Sequence, residues 1–334
     1  MNGNHDPRSR GPRRRGGEPT VGPPAEAASY YGRPVLKAPV WEWGTAAYLF
    51  TGGLAAGTAV VAAGADLVGA DRLRRACWLG SFGALLTSVG LLIDDLGRPE
   101  RFHHMLRVAK PTSPMSMGTW LLTAFGPGVG AAALWELLPA RWRSSWPARL
   151  LRRLSRVVGL TSAVTAPGVA TYTAALLAQT AVPGWNEVRG ELPFVFAGSA
   201  AASGGGFGML TTPPAEARPA RVFAALGAAG ELVASRVMEQ RMGLIREVYH
   251  QGAAGRRRRA AELLTVAGLA GTVVAAGRSR AGAAASGIAL LTGSALQRFG
   301  IFEAGVASTK DPRYTVVPQR ARLDAAARDT GLSG

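Results

Sequence analysis

The chain has 334 residues, of which 48% are hydrophobic, and its 44 glycines exceed the usual share of that residue. A formal net charge of +17 comes from Lys and Arg that cluster between long apolar stretches. This distribution is typical of membrane loops and argues against a nucleic-acid-binding protein. The single cysteine, Cys77, excludes an internal disulfide framework and any iron–sulfur cluster bound by this chain alone, because such clusters need several thiolates.

A segment rich in Gly, Pro and Arg precedes the first apolar stretch and has no apolar periodicity. We predict a disordered basic arm over residues 1–40, a transmembrane helical domain over 41–307 and a C-terminal tail over 308–334. No hydrophobic region closely follows the cluster Arg13–Arg15, so the arm is not expected to be a cleavable signal peptide.

Eight apolar segments approach the roughly 20 residues that a spanning helix needs. They are Trp43–Ala65, Ala76–Ile93, Met115–Leu138, Val157–Val182, Leu192–Leu210, Ala220–Val237, Ala260–Ala276 and Ala281–Ala307. Charged or helix-breaking segments are expected between them: Asp71–Arg75, Arg98–Lys110, Arg141–Arg156, Pro183–Glu191, Pro213–Pro219, Gln240–Arg259 and Arg278–Arg280. The sequence therefore predicts an all-α integral membrane protein of about eight transmembrane helices, with both termini on one side.

Lys and Arg are more frequent in the two tails and the even-numbered loops than in the odd-numbered loops. Because cytoplasmic segments carry an excess of these residues, the distribution favours a multi-pass protein of the cell membrane with cytoplasmic termini. Most of the excess of Lys and Arg lies in the tails, and the even- and odd-numbered loops alone carry nearly equal numbers of these residues.

The four histidines are His5, His103, His104 and His250, and none lies in a predicted span. Membrane cytochromes of the b type hold haem with histidines inside their helices, so we expect no haem in this chain. Neighbouring residues on a helix do not face the same way, so the adjacent pair His103–His104 does not predict a metal site.

Ionisable residues inside predicted spans are costly and are functional candidates. Glu231 lies in the sixth segment, and Arg298 and Glu303 lie about a turn apart in the last. These three residues are candidates for a proton path. For Glu303, and for Glu136 near the end of the third segment, an interfacial side chain that reaches water is an equally good interpretation.

Two stretches flank the loop between the second and third segments. Asp95–Phe102 carries Gly97 and Pro99, which end a helix, and Pro111–Trp120 carries Ser113 and Ser116, either of which could cap the next helix. On their own these stretches are helix stop and start signals with arginines added.

Together with Trp41–Trp43 and Tyr48 at the start of the first segment, these stretches resemble the NrfD/PsrC family. Weaker matches follow at Tyr172–Thr173, Val182–Trp185, Leu192–Phe194, Asp311–Thr315 and Gln319–Arg320, so the resemblance runs from about Trp41 to Arg320. It implies a haem-free membrane subunit with two four-helix bundles that binds a quinone, menaquinone or ubiquinone. It also implies a ferredoxin-like iron–sulfur partner subunit and, often, a molybdopterin catalytic subunit.

The resemblance also implies which residues form the quinone site. Thr45 and Tyr48 stand where relatives can have Asn and His, and Tyr172 matches a tyrosine that lines the site. Asp95 and Arg98 in the signature loop are candidates for assisting proton transfer. Two alternatives stay open: Tyr48, like Trp43, could be a membrane-interface aromatic, and Asp95 with Arg98 could be a helix-capping ion pair.

The sequence leaves two other function classes open. A proton-coupled transporter would use the ionisable residues inside the spans, although no internal repeat of the kind common in transporters is evident. A passive membrane anchor would hold a redox partner without binding quinone.

Overall fold

A computed structural model describes residues 34–96, 98–143 and 145–329 of the chain. The first 33 residues of the predicted N-terminal arm lie outside this range. Within it the regular secondary structure is helical and there is no β-strand. The predicted all-α fold is confirmed.

Eight helices of 20 residues or more make up most of the described chain. They are α1 (Trp43–Val68), α2 (Asp71–Asp94), α3 (Pro114–Leu137), α5 (Trp146–Ala178), α7 (Leu192–Thr211), α8 (Arg218–Arg241), α10 (Gly252–Val274) and α11 (Arg280–Ser308). Shorter helices are α4 (Ala140–Arg143), α6 (Pro183–Asn186), α9 (Arg246–His250) and α12 (Arg313–Asp329), with 3₁₀ turns at Pro99–Leu106 and Gly243–Ile245. Each predicted span falls on one of the eight long helices.

The first four long helices, α1, α2, α3 and α5, are long and apolar enough to cross a membrane, by length and composition. Of the other four, α7 is rich in Gly and Ser, and α8, α10 and α11 carry charged residues. The long helices alternate in direction. The ends at Trp43, Asp94, Pro114, Ala178, Leu192, Arg241, Gly252 and Ser308 therefore share one side, the tail face, and the other ends form the far face.

The long helices form two bundles of four. Helices α1, α2, α3 and α5 pack together, α7, α8, α10 and α11 pack together, and α1 and α5 contact α7 across the boundary. Backbones meet there because Gly57 of α1 faces Ala200 and Gly204 of α7, and a Cβ atom at Gly57 would collide with the Ala200 carbonyl. The two four-helix bundles implied by the family resemblance are therefore present.

Several segments expected to separate the spans are themselves helical, which corrects the predicted boundaries. Asp71–Arg75 forms the first turn of α2, and Arg141–Arg156 includes most of α4 and the first turns of α5. Arg is a good helix former whose long side chain can carry its charge away from the apolar part of the helix. The helices consequently extend beyond their apolar stretches.

A partly buried ion cluster ties the first bundle together near the far face. Arg74 of α2 pairs with Glu136 of α3 at 2.8 Å, and Arg156 of α5 pairs with Asp66 of α1 at 2.5 Å. Glu136 is buried, so the interfacial interpretation of this residue was wrong. Its charge is instead compensated by an arginine from the neighbouring helix.

Candidate functional site

A cavity of about 130 Å³ lies inside the first bundle, close to the tail face. Its walls come from α1, α2, α3, α5, the segment before α1 and the loop after α2. The lining residues are Trp41, Thr45, Tyr48, Leu91, Leu92, Asp95, Leu96, Met105, Met115, Gly118, Thr119, Leu122, Tyr172 and Leu176. The cavity is thus an apolar pocket with a small number of polar groups, which is typical of ligand sites.

Two tyrosines from helices far apart in sequence meet in this cavity. The rings of Tyr48 on α1 and Tyr172 on α5 lie edge to face, with centroids 6.5 Å apart and planes at 66°. Tyr48 is only 4% exposed. Neither hydroxyl has a hydrogen-bonding partner among the described residues, so both can donate a hydrogen bond to a molecule in the cavity.

A glycine on α3 makes room for one of these rings. A Cβ atom at Gly118 would collide with the ring of Tyr172. Ser113 sets the start of α3, because its side chain accepts a hydrogen bond from the Ser116 amide at 3.5 Å. Sequence reasoning did not select Gly118 as a site residue, although it lies within the Pro111–Trp120 stretch.

Asp95 at the end of α2 brings a carboxylate to the cavity mouth. Thr45 Oγ1 donates a hydrogen bond to Asp95 Oδ2 at 3.3 Å. Partial burial raises the pKa of Asp95 above its usual value, and the nearby charges of Glu42 and Asp94 act in the same direction, while the Thr45 hydrogen bond opposes the rise. A carboxyl group in this setting holds a proton at a higher pH than an ordinary aspartate.

The structure does not bring Arg98 to the same place. Arg98 is exposed, precedes the 3₁₀ turn at Pro99–Leu106, and does not line the cavity. Among the described residues Asp95 and Arg98 do not form an ion pair. The alternative that they form a helix-capping pair is therefore wrong. The expected role of Arg98 in proton transfer stays a prediction.

The sequence left open whether Trp43 and Tyr48 are membrane-interface aromatics, and the structure gives the two side chains different surroundings. Trp43 is 68% exposed at the start of α1, as an interfacial residue would be. Tyr48, slightly more than one turn further along, points into the bundle. Only Trp43 therefore suits the interfacial interpretation.

The cavity is connected to the second bundle through stacked aromatic rings. Trp41, which lines the cavity, stacks on Trp185 with centroids 5.7 Å apart and planes at 27°. The fully buried Trp185 donates from Nε1 to the carbonyl of Ile301 on α11 at 2.9 Å. A Cβ atom at Gly305 would occupy the space of the indole. Trp185 was part of a weak family match, but its positioning role was not predicted.

The three candidates for a proton path fall into two places. Glu231 on α8 is 3% exposed and Arg298 on α11 is fully buried, close enough for their charges to interact. Arg298 Nη2 donates to the carbonyl of Phe196 at 2.8 Å, and the guanidinium lies 3.7 Å from that ring's centroid. Glu303 instead pairs with Arg257 at a groove on the tail face, so it does not join the other two.

Within the described residues no three His, Cys, Asp or Glu side chains are grouped so that they could hold a metal ion. His103 and His104 lie in the 3₁₀ turn after α2, with ring centroids 4.4 Å apart. The candidate site is therefore the apolar cavity with its polar mouth.

A family model described as "Polysulphide reductase, NrfD" matches residues 34–218, which is more than half of the chain. The matched region contains the whole first bundle, every residue of the cavity and helix α7. No curated protein matches the chain.

Proposed function

The chain belongs to the polysulphide reductase NrfD family, and from this premise we propose that it exchanges electrons between a membrane quinone and a ferredoxin-like iron–sulfur subunit. The family consists of membrane subunits of quinone-interacting redox complexes, and the chain is a multi-pass membrane protein. The quinone, menaquinone or ubiquinone, would bind in the cavity between Tyr48 and Tyr172. The substrate of the whole complex would be processed by a further, molybdopterin-containing catalytic subunit.

One observation carries this proposal: the buried Tyr48 and the half-buried Tyr172 line the same mostly apolar cavity, and neither hydroxyl has a partner in the described chain. Buried polar groups normally have hydrogen-bonding partners, so these hydroxyls are suited to a ligand acceptor. A quinone ring offers carbonyl oxygens for this purpose and apolar faces for the leucine and methionine walls. An apolar cavity of about 150 Å³ admits a benzene-sized ring, and the cavity here is similar at about 130 Å³.

The chain's own residues would divide the work between binding and proton transfer. Tyr48 and Tyr172 donate hydrogen bonds to a carbonyl oxygen and set the position of the ring. Leu92, Met115 and Leu122 exclude water from its faces. A bound quinone supplies two-electron, two-proton redox chemistry. Asp95, held by Thr45 at the mouth of the cavity, keeps a proton at its carboxyl and exchanges it with water on the tail side.

The position of the cavity supports a proposal for where the partner would dock. It lies close to the tail face, and electron transfer needs a short distance, so we place the iron–sulfur subunit against this face. We also propose that the tail face is cytoplasmic, because the tails carry most of the excess of Lys and Arg.

Proton movement accompanying the quinone chemistry is a second proposal. The observation that favours it is the pair of buried ionisable residues Glu231 and Arg298 in the second bundle, since such residues inside a membrane are costly and usually functional. A passive anchor would need neither this pair nor the tyrosine-lined cavity. A transporter without redox function would not need Tyr48 and Tyr172.

Purification in mild detergent from the native membrane, followed by mass spectrometry of proteins and extracted quinones, tests the proposed function. We expect an iron–sulfur subunit and quinone to co-purify with the native chain. The double variant Tyr48→Phe, Tyr172→Phe should keep the partner but lose most of the quinone. Tyr314→Phe is the matched control, because this buried tyrosine lies outside the cavity and bonds Glu247. Quinone retained equally by all three proteins would contradict the proposal.

A further inference from the structure

Polar side chains form a column along one face of helix α8. Glu231, Ser235 and Glu239 follow one another at intervals of four residues, so they lie one above the other on the same side of the helix. At about 1.5 Å per residue they extend over about 12 Å. This interval can be read from the sequence, but Ser235 and Glu239 were not singled out there.

A small cavity runs beside this column, between α8, α10 and α11. Its volume is about 30 Å³, and its lining consists of Glu231, Leu232, Ser235, Arg236, Glu239, Arg258, Glu262, Thr265 and Gln297. One water molecule needs about 10–15 Å³ of such space, so the cavity has room for about two. Glu231 Oε2 and Arg258 Nε are buried without a hydrogen-bonding partner, and water is the partner that both atoms need.

The column reaches the tail face at its outer end. Arg258 Nη2 donates to Glu239 Oε1 at 2.7 Å, and His250 Nε2 lies 3.7 Å from the same oxygen. Arg236 Nη1 is 3.6 Å from Glu239 Oε2. The His250 side chain is 44% exposed, so it connects the buried Glu239 to solvent.

The inner end lies at the boundary between the bundles. Gln297 Nε2 donates to Ser235 Oγ at 3.2 Å, and the next residue, Arg298, interacts electrostatically with Glu231. A Cβ atom at Gly53 of α1 would lie 2.9 Å from Arg298 Nη2, so the guanidinium is packed against the first bundle. Gly53 is five residues after Tyr48, about 7.5 Å along the helix axis.

Toward the far face the second bundle is closed by backbone contacts. Gly227 of α8 packs against Ala202 of α7, and Gly206 of α7 packs against Gly287 of α11. A Cβ atom at Gly227 would lie 2.5 Å from the Ala202 amide nitrogen, which leaves no space for water between these helices. Beyond Glu231 the contacts of α7 with α8 and α11 are therefore tight, whereas the polar column reaches exposed side chains at the tail face.

We infer that the second bundle contains a one-sided proton-uptake route, in which tail-side water protonates Glu231 through His250, Glu239 and the small cavity. A hydronium ion gives up its proton to Glu231 Oε2, and Arg298 is the counter-ion of this carboxylate when it is ionised. The other charged groups that face the route are Arg236, Arg258 and Glu262. The inference rests on the proposal of proton movement but does not need quinone to be bound.

Cysteine accessibility tests the one-sided opening independently of quinone. Cys77 is the only native cysteine and is fully buried, so the background should be low. In membrane vesicles of known orientation, Ag⁺ added on the tail side should modify Thr265→Cys and protect it from a maleimide applied after denaturation, because this thiol-reactive cation is small enough for a water-sized route. Thr265 lies about 20 Å along α10 from its tail-face end. Thr272→Cys is the matched control, because it replaces a buried threonine of the same helix beyond the cavity.

The direction of labelling decides the outcome. Modification of Thr265→Cys from the tail side alone, with Thr272→Cys unreactive from that side, is the expected result. Modification from the far side, or from neither side, would overturn the inference. Ser235→Cys, nearer the tail face in the same cavity, provides a second test if Thr265→Cys does not reach the membrane.

Infrared difference spectra test whether Glu231 takes up a proton. They are recorded between the oxidised and reduced states of the purified complex. One protonated-carboxyl band should be present in the native complex, in Glu303→Gln and in Asp95→Asn, and should be lost in Glu231→Gln. If no such band is lost in Glu231→Gln, this residue is excluded as the acceptor. If the complex contains no quinone, the proposed function fails while the cysteine result still decides whether the route exists.

Discussion

Thr45 and Asp95 join the first turn of α1 to the end of α2 through a hydrogen bond of 3.3 Å between Thr45 Oγ1 and Asp95 Oδ2. These residues are 50 positions apart in the sequence and both line the same cavity. The bond stabilises the ionised carboxylate, and so it limits the rise in the pKa of Asp95 that partial burial causes.

Replacing Thr45 with valine should therefore shift the pH profile of quinone reduction. Loss of the hydrogen bond raises the pKa of Asp95 further, because the charged form loses a donor. The proton donor then stays protonated to a higher pH, and the alkaline decline in turnover moves to higher pH. The measurement is the turnover of the purified complex against pH.

Thr51→Val is the control for this shift, since Thr51 lies on the same helix but bonds only the backbone of its own helix. If the alkaline decline in turnover of Thr45→Val occurs at the same pH as in the native complex, or at a lower pH, then Asp95 does not donate the proton that limits the rate.

The two cavity tyrosines should contribute separately to quinone affinity. A hydrogen bond between neutral groups contributes about 0.5–1.5 kcal/mol, so Tyr48→Phe or Tyr172→Phe should each weaken quinone binding by about twofold to tenfold. The dissociation constant measured by quinone titration of the complex checks this. An unchanged constant in both single variants would mean that the hydroxyls do not contact the quinone.

Gly118→Ala should disturb the cavity without unfolding the bundle. The new methyl group collides with the Tyr172 ring, which must move and lose its position opposite Tyr48. We expect weaker quinone binding than in Tyr172→Phe, with a midpoint of thermal unfolding close to that of the native protein. Gly126→Ala, on the same helix, is the control, because its methyl group would make only an ordinary contact with Leu85. Equal quinone affinity in the two alanine variants would contradict this account of Gly118.

Glu136→Gln should reduce stability without changing the quinone site. The change removes the most deeply buried carboxylate that pairs with Arg74, and breaking such a buried pair typically costs about 3–5 kcal/mol. Asp66 and Asp71 also pair with Arg74, so we expect the lower end, about 3 kcal/mol. Thermal unfolding in detergent is the measurement, with the exposed Glu100→Gln as control. A loss of quinone affinity at unchanged stability would contradict the structural role.

The class of fold and most of its helices follow from the amino-acid sequence alone. A bilayer leaves backbone groups without water, so long apolar runs must form helices, and each of the eight predicted runs lies on a helix. The predicted boundaries differ from the observed ones because arginine-rich ends such as Arg141–Arg156 continue the helices. The family signature likewise led to Thr45, Tyr48, Asp95 and Tyr172, which the structure brings to one cavity.

Which side chains from different helices meet cannot be read from the sequence. Tyr48 and Tyr172 are neighbours across two helices, while Arg98 lies outside the cavity and Glu303 is separated from Glu231. The polar column from His250 to Arg298 draws on three long helices and a short one, and only part of it repeats along a single helix. Sequence spacing determines which residues share a face of one helix, but the rotation and depth of packed helices depend on close contacts such as Gly57 against Ala200. Contacts between helices therefore follow from the packing of the whole chain.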